Sequence, residues 1–344
     1  MKTKNKIIIS FTAVILLLFF LLPLPYYVEK PGTAQPTNQI ITVNKKHDSH
    51  KGQLLFTTVE LMHGTPFNLL VASADPFQTI RTKSQEMGNA NSKEYQQMQK
   101  YFMETASNDA IEAAFRKAHQ SYSKKYLGVY VMTILKNSDF KHSLKVGDVI
   151  NKIDGHRFNS SEQFIKTVKK DKVGQKVMID YLRNGQKHTT TKKLVSIDKT
   201  HRPGLGIGLV NHTKVESKPA VKIDAKDIGG PSAGLMFSLQ IYSQLDDINL
   251  THGNKIAGTG TIAPDGQVGP IGGIDKKVYA ASKQGAKIFF APNDKITKED
   301  LAMDPHYKNN YKVAKQAAKR LNTNMKIVPV TKLDDTINYL KTHQ

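Results

Sequence analysis

The sequence predicts an α+β multidomain fold with an N-terminal transmembrane helix, a small β domain and a C-terminal α/β domain. Three observations predict it. Residues 7–24 are almost entirely apolar, an Asn-Gly dipeptide at 184–185 separates two strand patterns, and helical and strand patterns alternate from residue 204 onward. The predicted segments are 1–25 for the cytoplasmic tail and anchor, 26–123 for extended strands with a helical region, 124–197 for the β domain and 198–344 for the α/β domain.

The composition excludes several classes of site. The 344 residues carry a net charge of +21 and contain no cysteine, which excludes disulfides, thiol catalysis and cysteine-bound zinc. The basic residues are spread along the chain instead of forming a block interleaved with aromatics, so we expect no nucleic-acid partner. A basic exterior that faces an anionic membrane or cell-wall polymer accounts for the charge. No metal-binding or phosphate-loop motif is present, and we expect no metal, cofactor or ATP.

The apolar run 7–24 is close to the roughly 20 residues that a helix needs to cross a bilayer. Lys2, Lys4 and Lys6 precede it, so the positive-inside rule predicts a cytoplasmic N-terminus and an extracellular remainder. The alternative is a cleaved signal peptide. The run is longer than the usual h-region of about 7–15 residues and no small-residue cleavage site follows, which favours a retained single-pass anchor.

Residues 26–123 contain strand and helix patterns but no candidate catalytic or binding motif. Residues 39–43 and 54–59 are rich in β-branched residues and predict strands. A capping-box pattern at 91–94 predicts the start of a helix, and 109–119 predicts a second helix. Nothing in this region indicates a chemical role.

The segment 124–197 is predicted to contain a strand, a helix and a terminal hairpin. The hairpin is indicated by Asn184-Gly185, a strong type I′ turn signal. The predicted bounds are 130–135 for the strand, 160–170 for the helix, and 177–182 and 187–195 for the hairpin strands.

This segment resembles a PDZ domain of the kind found in bacterial proteases. The resemblance implies that Tyr126, Leu127, Gly128 and Val129 form the loop whose backbone N–H groups capture a peptide C-terminus. The following strand would then accept a peptide strand, with the 160–170 helix as the other wall of the groove. The alternative is a small β domain that binds nothing.

Two glycine-rich turns contain the candidate catalytic residues. Residues 229–235 (GGPSAGL) place Ser232 at the predicted start of an apolar helix, where the positive helix end favours a developing oxyanion. Residues 272–277 (GGIDKK) deliver a lysine to another helix start. A serine and a neutral lysine form a nucleophile and base that need neither histidine nor metal.

The lysine can act as a base only where burial lowers its pKa from about 10.4. The same pattern also fits an ordinary capped helix start beside a solvated lysine. The residue chemistry leaves both interpretations open.

The region of about 204–344 resembles the proteolytic domain of Lon proteases. The matching segments follow the family's order and separations, and are 230–234 (GPSAG), 257–260 (AGTG) and 266–273 (GQVGPIGG). The resemblance implies that Ser232 is the nucleophile, that Lys277 is the general base and that Thr259 helps to position the lysine.

The resemblance assigns the base to Lys277 instead of the adjacent Lys276. One departure from the family is visible, because Lon commonly has an aspartate three residues before the serine and this chain has Gly229 there. Asp227 lies nearby but out of register. The departure leaves the dyad intact, and we expect the regulation of its geometry to differ from that of the family.

The combination of anchor, PDZ-like domain and Lon-type domain resembles the membrane-anchored, pheromone-processing peptidases of Gram-positive bacteria. It implies an ATP-independent serine endopeptidase that cleaves extracytoplasmic peptides or flexible protein tails, secreted signalling peptides among them. The alternative is a non-catalytic PDZ scaffold that tethers extracellular partners.

Overall fold

The structure is a computed structural model that describes residues 2–225, 228–303 and 307–343. Asp227 lies outside these residues. The N-terminal part consists of α1 (Lys2–Leu21), β1 (Tyr26–Pro36), β2 (Ile41–Val43), β3 (Gln53–His63), α2 (Pro66–Ala74), β4 (Thr79–Thr82), α3 (Lys83–Met87) and α4 (Ser92–Lys117).

Helix α4 begins where the capping pattern predicts. The Asn91 side chain accepts hydrogen bonds from the backbone N–H groups of Lys93 and Glu94, and Glu94 reaches back to the Asn91 N–H, which confirms the capping box. The predicted helix 109–119 is the second half of α4, because neither glycine nor proline interrupts residues 92–117.

The middle part forms mostly antiparallel strands. Its elements are β5 (Tyr122–Ile134), β6 (Val149–Ile153), β7 (His156–Arg157), α5 (Ser161–Val168), β8 (Lys176–Arg183), β9 (Gln186–Lys193), β10 (Val195–Ser196), β11 (Pro203–Gly204) and β12 (Ile207–Ser217). Asn184 and Gly185 connect β8 to β9 with φ of 51° and 79°, as the predicted type I′ turn requires.

The C-terminal part alternates helices and strands, as predicted. Its elements are β13 (Val221–Ile223), α6 (Gly234–Leu245), β14 (Lys255–Gly258), β15 (Thr261–Ile262), β16 (Val268–Gly269), α7 (Ile274–Lys283), β17 (Ile288–Pro292), α8 (Lys298–Met303), α9 (Asn310–Arg320), β18 (Lys326–Val330) and α10 (Leu333–Thr342). Helix α6 begins two residues after Ser232, which lies in the preceding turn instead of the helix.

The largest sheet joins both ends of the chain. Its strand order is β18-β17-β14-β3-β1-β4, so residues 26–82 contribute three of its six strands. Strands β3, β14, β17 and β18 run parallel to one another, while β1 is antiparallel to its two neighbours, β3 and β4. The N-terminal region, to which the sequence assigned no role, is therefore part of the same folded unit as the C-terminal α/β region.

Helices cover both faces of this sheet, so its central strands are buried on both sides. Adjacent residues on β3 belong to different cores, because successive side chains of a strand point to opposite faces. Phe56 packs with α4, α6 and α10, whereas Leu55 packs with α7 and α9. Both side chains are fully buried.

A second sheet has the order β12-β5-β6-β8-β9, with β7 paired to β6. Strand β12 follows residue 198, yet it pairs with β5 instead of the α/β sheet. Residues 126–129 lie inside β5 and do not form the predicted loop. Gly128 faces His212 of β12, and Val129 has a partner in both neighbouring strands, so the segment pairs with β12 on one edge and meets β6 on the other edge only at Val129.

Candidate active site

Ser232 is held in the turn between β13 and α6. Its carbonyl oxygen accepts hydrogen bonds from the Gly260 N–H at 2.9 Å and from the Thr259 hydroxyl at 3.0 Å. Gly230, two residues earlier, has a φ of 86°, a conformation that glycine adopts without strain. The turn therefore fixes the serine against the end of β14, with the positive end of α6 directly behind it.

Lys277 reaches the serine from the first turn of α7. That helix begins after Gly273, whose φ of 64° turns the chain into the helix. The Lys277 Nζ lies 2.5 Å from the Ser232 Oγ, a short contact, and 3.2 Å from the Thr259 Oγ1. The structure thus brings together Ser232, Lys277 and Thr259, the three residues that the Lon resemblance singled out.

The environment of Lys277 favours its neutral form. The side chain is only 2% exposed, and burial lowers its pKa from 10.5 to about 7, while the nearby Glu29 carboxylate acts in the opposite direction. A lysine in this state can accept a proton near neutral pH, which a solvated lysine does poorly. The alternative of a solvated Lys277 does not fit this burial.

Thr259 connects the two other side chains. Its hydroxyl accepts from the Lys277 Nζ and donates to the Ser232 carbonyl oxygen. The residue is fully buried at the end of β14, where its backbone N–H donates to the Phe290 carbonyl oxygen of β17 at 3.1 Å. The parallel sheet therefore sets the position of the hydroxyl that orients the lysine.

The adjacent Lys276 points to a different set of partners. Its Nζ donates to the Thr79 hydroxyl at 2.9 Å and lies 3.6 Å from Glu29 and 3.4 Å from Asp275. Lys276 and Glu29 are 3% and 7% exposed, so this is a buried ion pair. The lysine of this ion pair directly precedes Lys277, the residue that contacts Ser232.

Sequence reasoning missed Glu29. It stands on β1, and its carboxylate packs so closely on Gly273 that a Cβ there would lie 2.5 Å from its Oε1. Its partner Lys276 lies about 250 residues later in the chain and comes near Glu29 only through the folding of β1 into the sheet. A single glutamate in an extended segment gives no local indication of such a partner.

A cavity of about 210 Å³ opens at Ser232 and Lys277. A second one of about 490 Å³ adjoins it and shares Val59, Ile228 and Gly229. The N-terminal strands and α4 supply much of the lining of both cavities. The four residues at 126–129 line neither cavity, so the structure does not bring the predicted peptide-capturing residues to the serine.

Comparison with known proteins matches two parts of the chain to families. Residues 105–194 match the PDZ domain family, and residues 199–341 match the Lon protease (S16) C-terminal proteolytic domain. The Lon protease of Metamycoplasma arthritidis is 36% identical over 111 residues, covering 32% of this chain and 11% of that protein. The Lon protease of Campylobacter concisus is 32% identical over 108 residues, covering 31% of this chain and 11% of that protein.

The matched segments thus span about a tenth of the length of these curated relatives. Among solved structures, the PDZ domain of the SdrC-like protein from Listeria monocytogenes is 41% identical, covering 24% of this chain and 87% of that chain with a TM-score of 0.24. The segment that matches the Lon proteolytic domain, residues 199–341, contains Ser232, Thr259 and Lys277. The chain therefore carries a PDZ domain followed by a Lon-type (S16) proteolytic domain, which is a serine peptidase domain.

Proposed function

We propose that this protein is a membrane-anchored, ATP-independent serine endopeptidase that cleaves peptides or flexible protein tails outside the membrane, with Ser232 as nucleophile and Lys277 as general base. The observation that carries the proposal is the 2.5 Å contact between the Ser232 Oγ and a buried lysine whose pKa is lowered to about 7. Thr259 orients the lysine.

The proposed reaction needs only these side chains and water. Neutral Lys277 takes the proton of the Ser232 hydroxyl as the oxygen attacks the scissile carbonyl carbon, and the C–O bond forms. The tetrahedral intermediate collapses when Lys277 returns the proton to the leaving amine and the C–N bond breaks. Lys277 then deprotonates a water that attacks the acyl ester, and the carboxylic acid leaves as Ser232 regains its proton.

The cavity of about 210 Å³ at Ser232 and Lys277 supports substrates that enter as short or flexible segments. Such segments need no prior unfolding, which is consistent with the proposed ATP-independent reaction. Secreted signalling peptides belong to this class of substrate.

The N-terminal helix supports a membrane location. Residues Thr3–Leu21 are long and apolar enough to span a bilayer and are unburied in the fold. Helix α2 extends this apolar surface, since the Phe67 and Phe20 rings lie 4.8 Å apart and Leu70 is 62% exposed. A retained anchor with α2 at the lipid surface accounts for both features better than a cleaved signal peptide.

The anchor also limits the reach of the active site. Strand β1 begins at Tyr26, five residues after α1 ends, and Glu29, beside Lys276, follows three residues later. Three residues of strand span about 10 Å. The proposed substrates are therefore segments that lie close to the outer membrane surface.

Cleavage of fluorescein-labelled casein by the purified full chain tests the function. We expect the wild type and Ser92→Ala, a control at an exposed serine, to cleave it, and Ser232→Ala to be inactive with an unchanged circular dichroism spectrum. A non-catalytic scaffold predicts no difference among the three. Protease added to protoplasts tests the location, because an extracellular C-terminal domain is digested while a cytoplasmic one is protected.

A further inference from the structure

Strand β3 pairs with β14 over only part of its length. The parallel pairs end at Phe56 opposite Gly258. Strand β3 continues through residues 57–63 with β1 on one edge and, within the described part of the chain, no strand on the other. An extended peptide can add to such an edge through backbone hydrogen bonds. The open edge begins beside the serine, since residues 57–59 line the cavity at Ser232.

The same edge leads into the larger cavity. Val59 lines both the cavity of about 210 Å³ and the one of about 490 Å³, and Leu61 lines the larger one. Val59 and Leu61 follow Thr57 by about two and four positions, and strand residues two apart point to the same face. A peptide laid along β3 would therefore place a side chain in the larger cavity about two to four residues from the bond held at Ser232.

Two carboxylates line the larger cavity, although the whole chain carries a net charge of +21. Glu29 lies on β1 opposite Leu61, and Glu86 lies on α3. Their side chains are only 10% and 17% exposed. Lys100, which also lines this cavity, is exposed. The buried side of the cavity is therefore acidic.

The cations beside these carboxylates do not satisfy their hydrogen-bonding capacity. The Arg81 Nε lies 3.5 Å from Glu29 and 3.7 Å from Glu86, and the Lys276 Nζ lies 3.6 Å from Glu29, which is too long for hydrogen bonds. The buried Glu29 Oε2 has no hydrogen-bond partner among the described residues. Asp275 also lies 3.4 Å from Lys276, so three carboxylates share two cations. This cluster favours a further positive charge that can donate hydrogen bonds.

We propose that the cavity of about 490 Å³ is a specificity pocket for an arginine or lysine side chain of the substrate, with Glu29 and Glu86 as its charge partners, while the substrate backbone adds to the open edge of β3. The substrate is then an extended segment with a basic residue about two to four positions from the cleaved bond. This inference rests on the proposed function and names its substrate class.

A peptide series in which one arginine moves through a decapeptide of alanine and leucine tests the pocket in the full chain. In a matched series citrulline, which has a similar shape and no charge, replaces the arginine. We expect the cleaved bond to move with the arginine at one fixed offset, and kcat/KM to be at least about tenfold lower for the citrulline peptides. Equal cleavage of the two series, or cleaved bonds that do not follow the arginine, would overturn the proposal.

Glu86→Gln tests the contribution of one carboxylate. Glutamine has the same size and can still accept the hydrogen bond that the Tyr95 hydroxyl donates to Glu86 at 2.7 Å. The ratio of kcat/KM between the arginine and citrulline peptides should fall about tenfold. Glu104→Gln is the matched control, since Glu104 is exposed on α4 and lines neither cavity, and it should keep the wild-type ratio. An unchanged ratio in Glu86→Gln would contradict the assigned charge partner.

Binding to Ser232→Ala separates the pocket from catalysis. Fluorescence anisotropy of the fluorescein-labelled decapeptides gives their Kd values without cleavage, and we expect the arginine peptide to bind at least about tenfold more tightly than the citrulline peptide. Equal Kd values would refute the pocket even if the wild type cleaves peptides. Tighter binding of the arginine peptide without any cleavage by the wild type would support the pocket and reject the peptidase function.

Discussion

Replacing Lys277 by methionine should abolish cleavage and raise the stability of the fold. The side chain is buried, and its pKa falls from 10.5 to about 7 because burial penalises the charge. Between these two pH values the unfolded chain binds a proton that the folded chain has released, so the folded state is penalised. At about 1.4 kcal/mol per pKa unit, the penalty at pH 7 is at most about 5 kcal/mol.

Methionine keeps the length of the aliphatic stem without the charge. It loses the Nζ contacts to the Ser232 and Thr259 hydroxyls, each worth about 1 kcal/mol. We therefore expect a net gain of about 2–3 kcal/mol in the free energy of unfolding at pH 7. The gain should shrink as the pH rises toward 10.5, where the wild-type lysine is neutral in both states.

Urea denaturation of the full chain in detergent, followed by circular dichroism at pH 7 and pH 10, measures this gain. Lys276→Met is the matched control, because its loss leaves the buried Glu29 carboxylate without its lysine, and we expect destabilisation. A Lys277→Met variant that is less stable than wild type at pH 7, or whose gain does not depend on pH, would refute the assignment of a neutral buried lysine.

Three further predictions concern the neighbours of the dyad and the PDZ strand. Glu29 raises the pKa of Lys277, so Glu29→Gln should move the acid limb of the kcat/KM profile to lower pH. Glu60→Gln, at a more exposed carboxylate, should leave the acid limb in place. Equal profiles for both variants would contradict the effect of Glu29 on Lys277. Thr259→Val should lower kcat about tenfold or more without changing KM, because the lysine loses its orienting hydroxyl. Thr259→Ser should keep most of the rate. A fully active Thr259→Val variant would show that Thr259 has no part in the mechanism. Gly128→Val should lower the melting temperature sharply, since a Cβ there would lie 2.3 Å from a carbonyl oxygen of β6 at a φ of +146°; unchanged melting would mean that residue 128 is not packed in β5.

Local patterns predicted the elements that local chemistry determines. The Asn91 cap and the Asn184-Gly185 turn depend on side chains and backbone angles within a few residues, and both are present in the structure. The glycine-rich motifs likewise indicated Ser232 and a lysine at 276–277, and the Lon resemblance assigned the base to Lys277, which the structure places in contact with Ser232.

The local sequence patterns do not indicate which strands pair over long distances in the chain. Glu29 reaches the active site only because β1 joins the sheet of the C-terminal region, and an isolated extended segment does not encode which strand it will meet. The sequence places the start of the last domain near residue 204, while the pairing of β12 with β5 depends on register and on α4 side chains such as Asn108. The domain boundaries remain a prediction, because strands are shared across them.

The most direct test of the dyad is covalent trapping of the acyl-enzyme. The full chain is mixed with a peptide p-nitrophenyl ester, quenched with acid and analysed by intact and tryptic mass spectrometry. We expect one acyl group per chain on the peptide that contains Ser232, none in Ser232→Ala, and formation at least a thousandfold slower in Lys277→Met. Acylation at another residue, or an unchanged rate in Lys277→Met, would contradict a Ser232–Lys277 dyad.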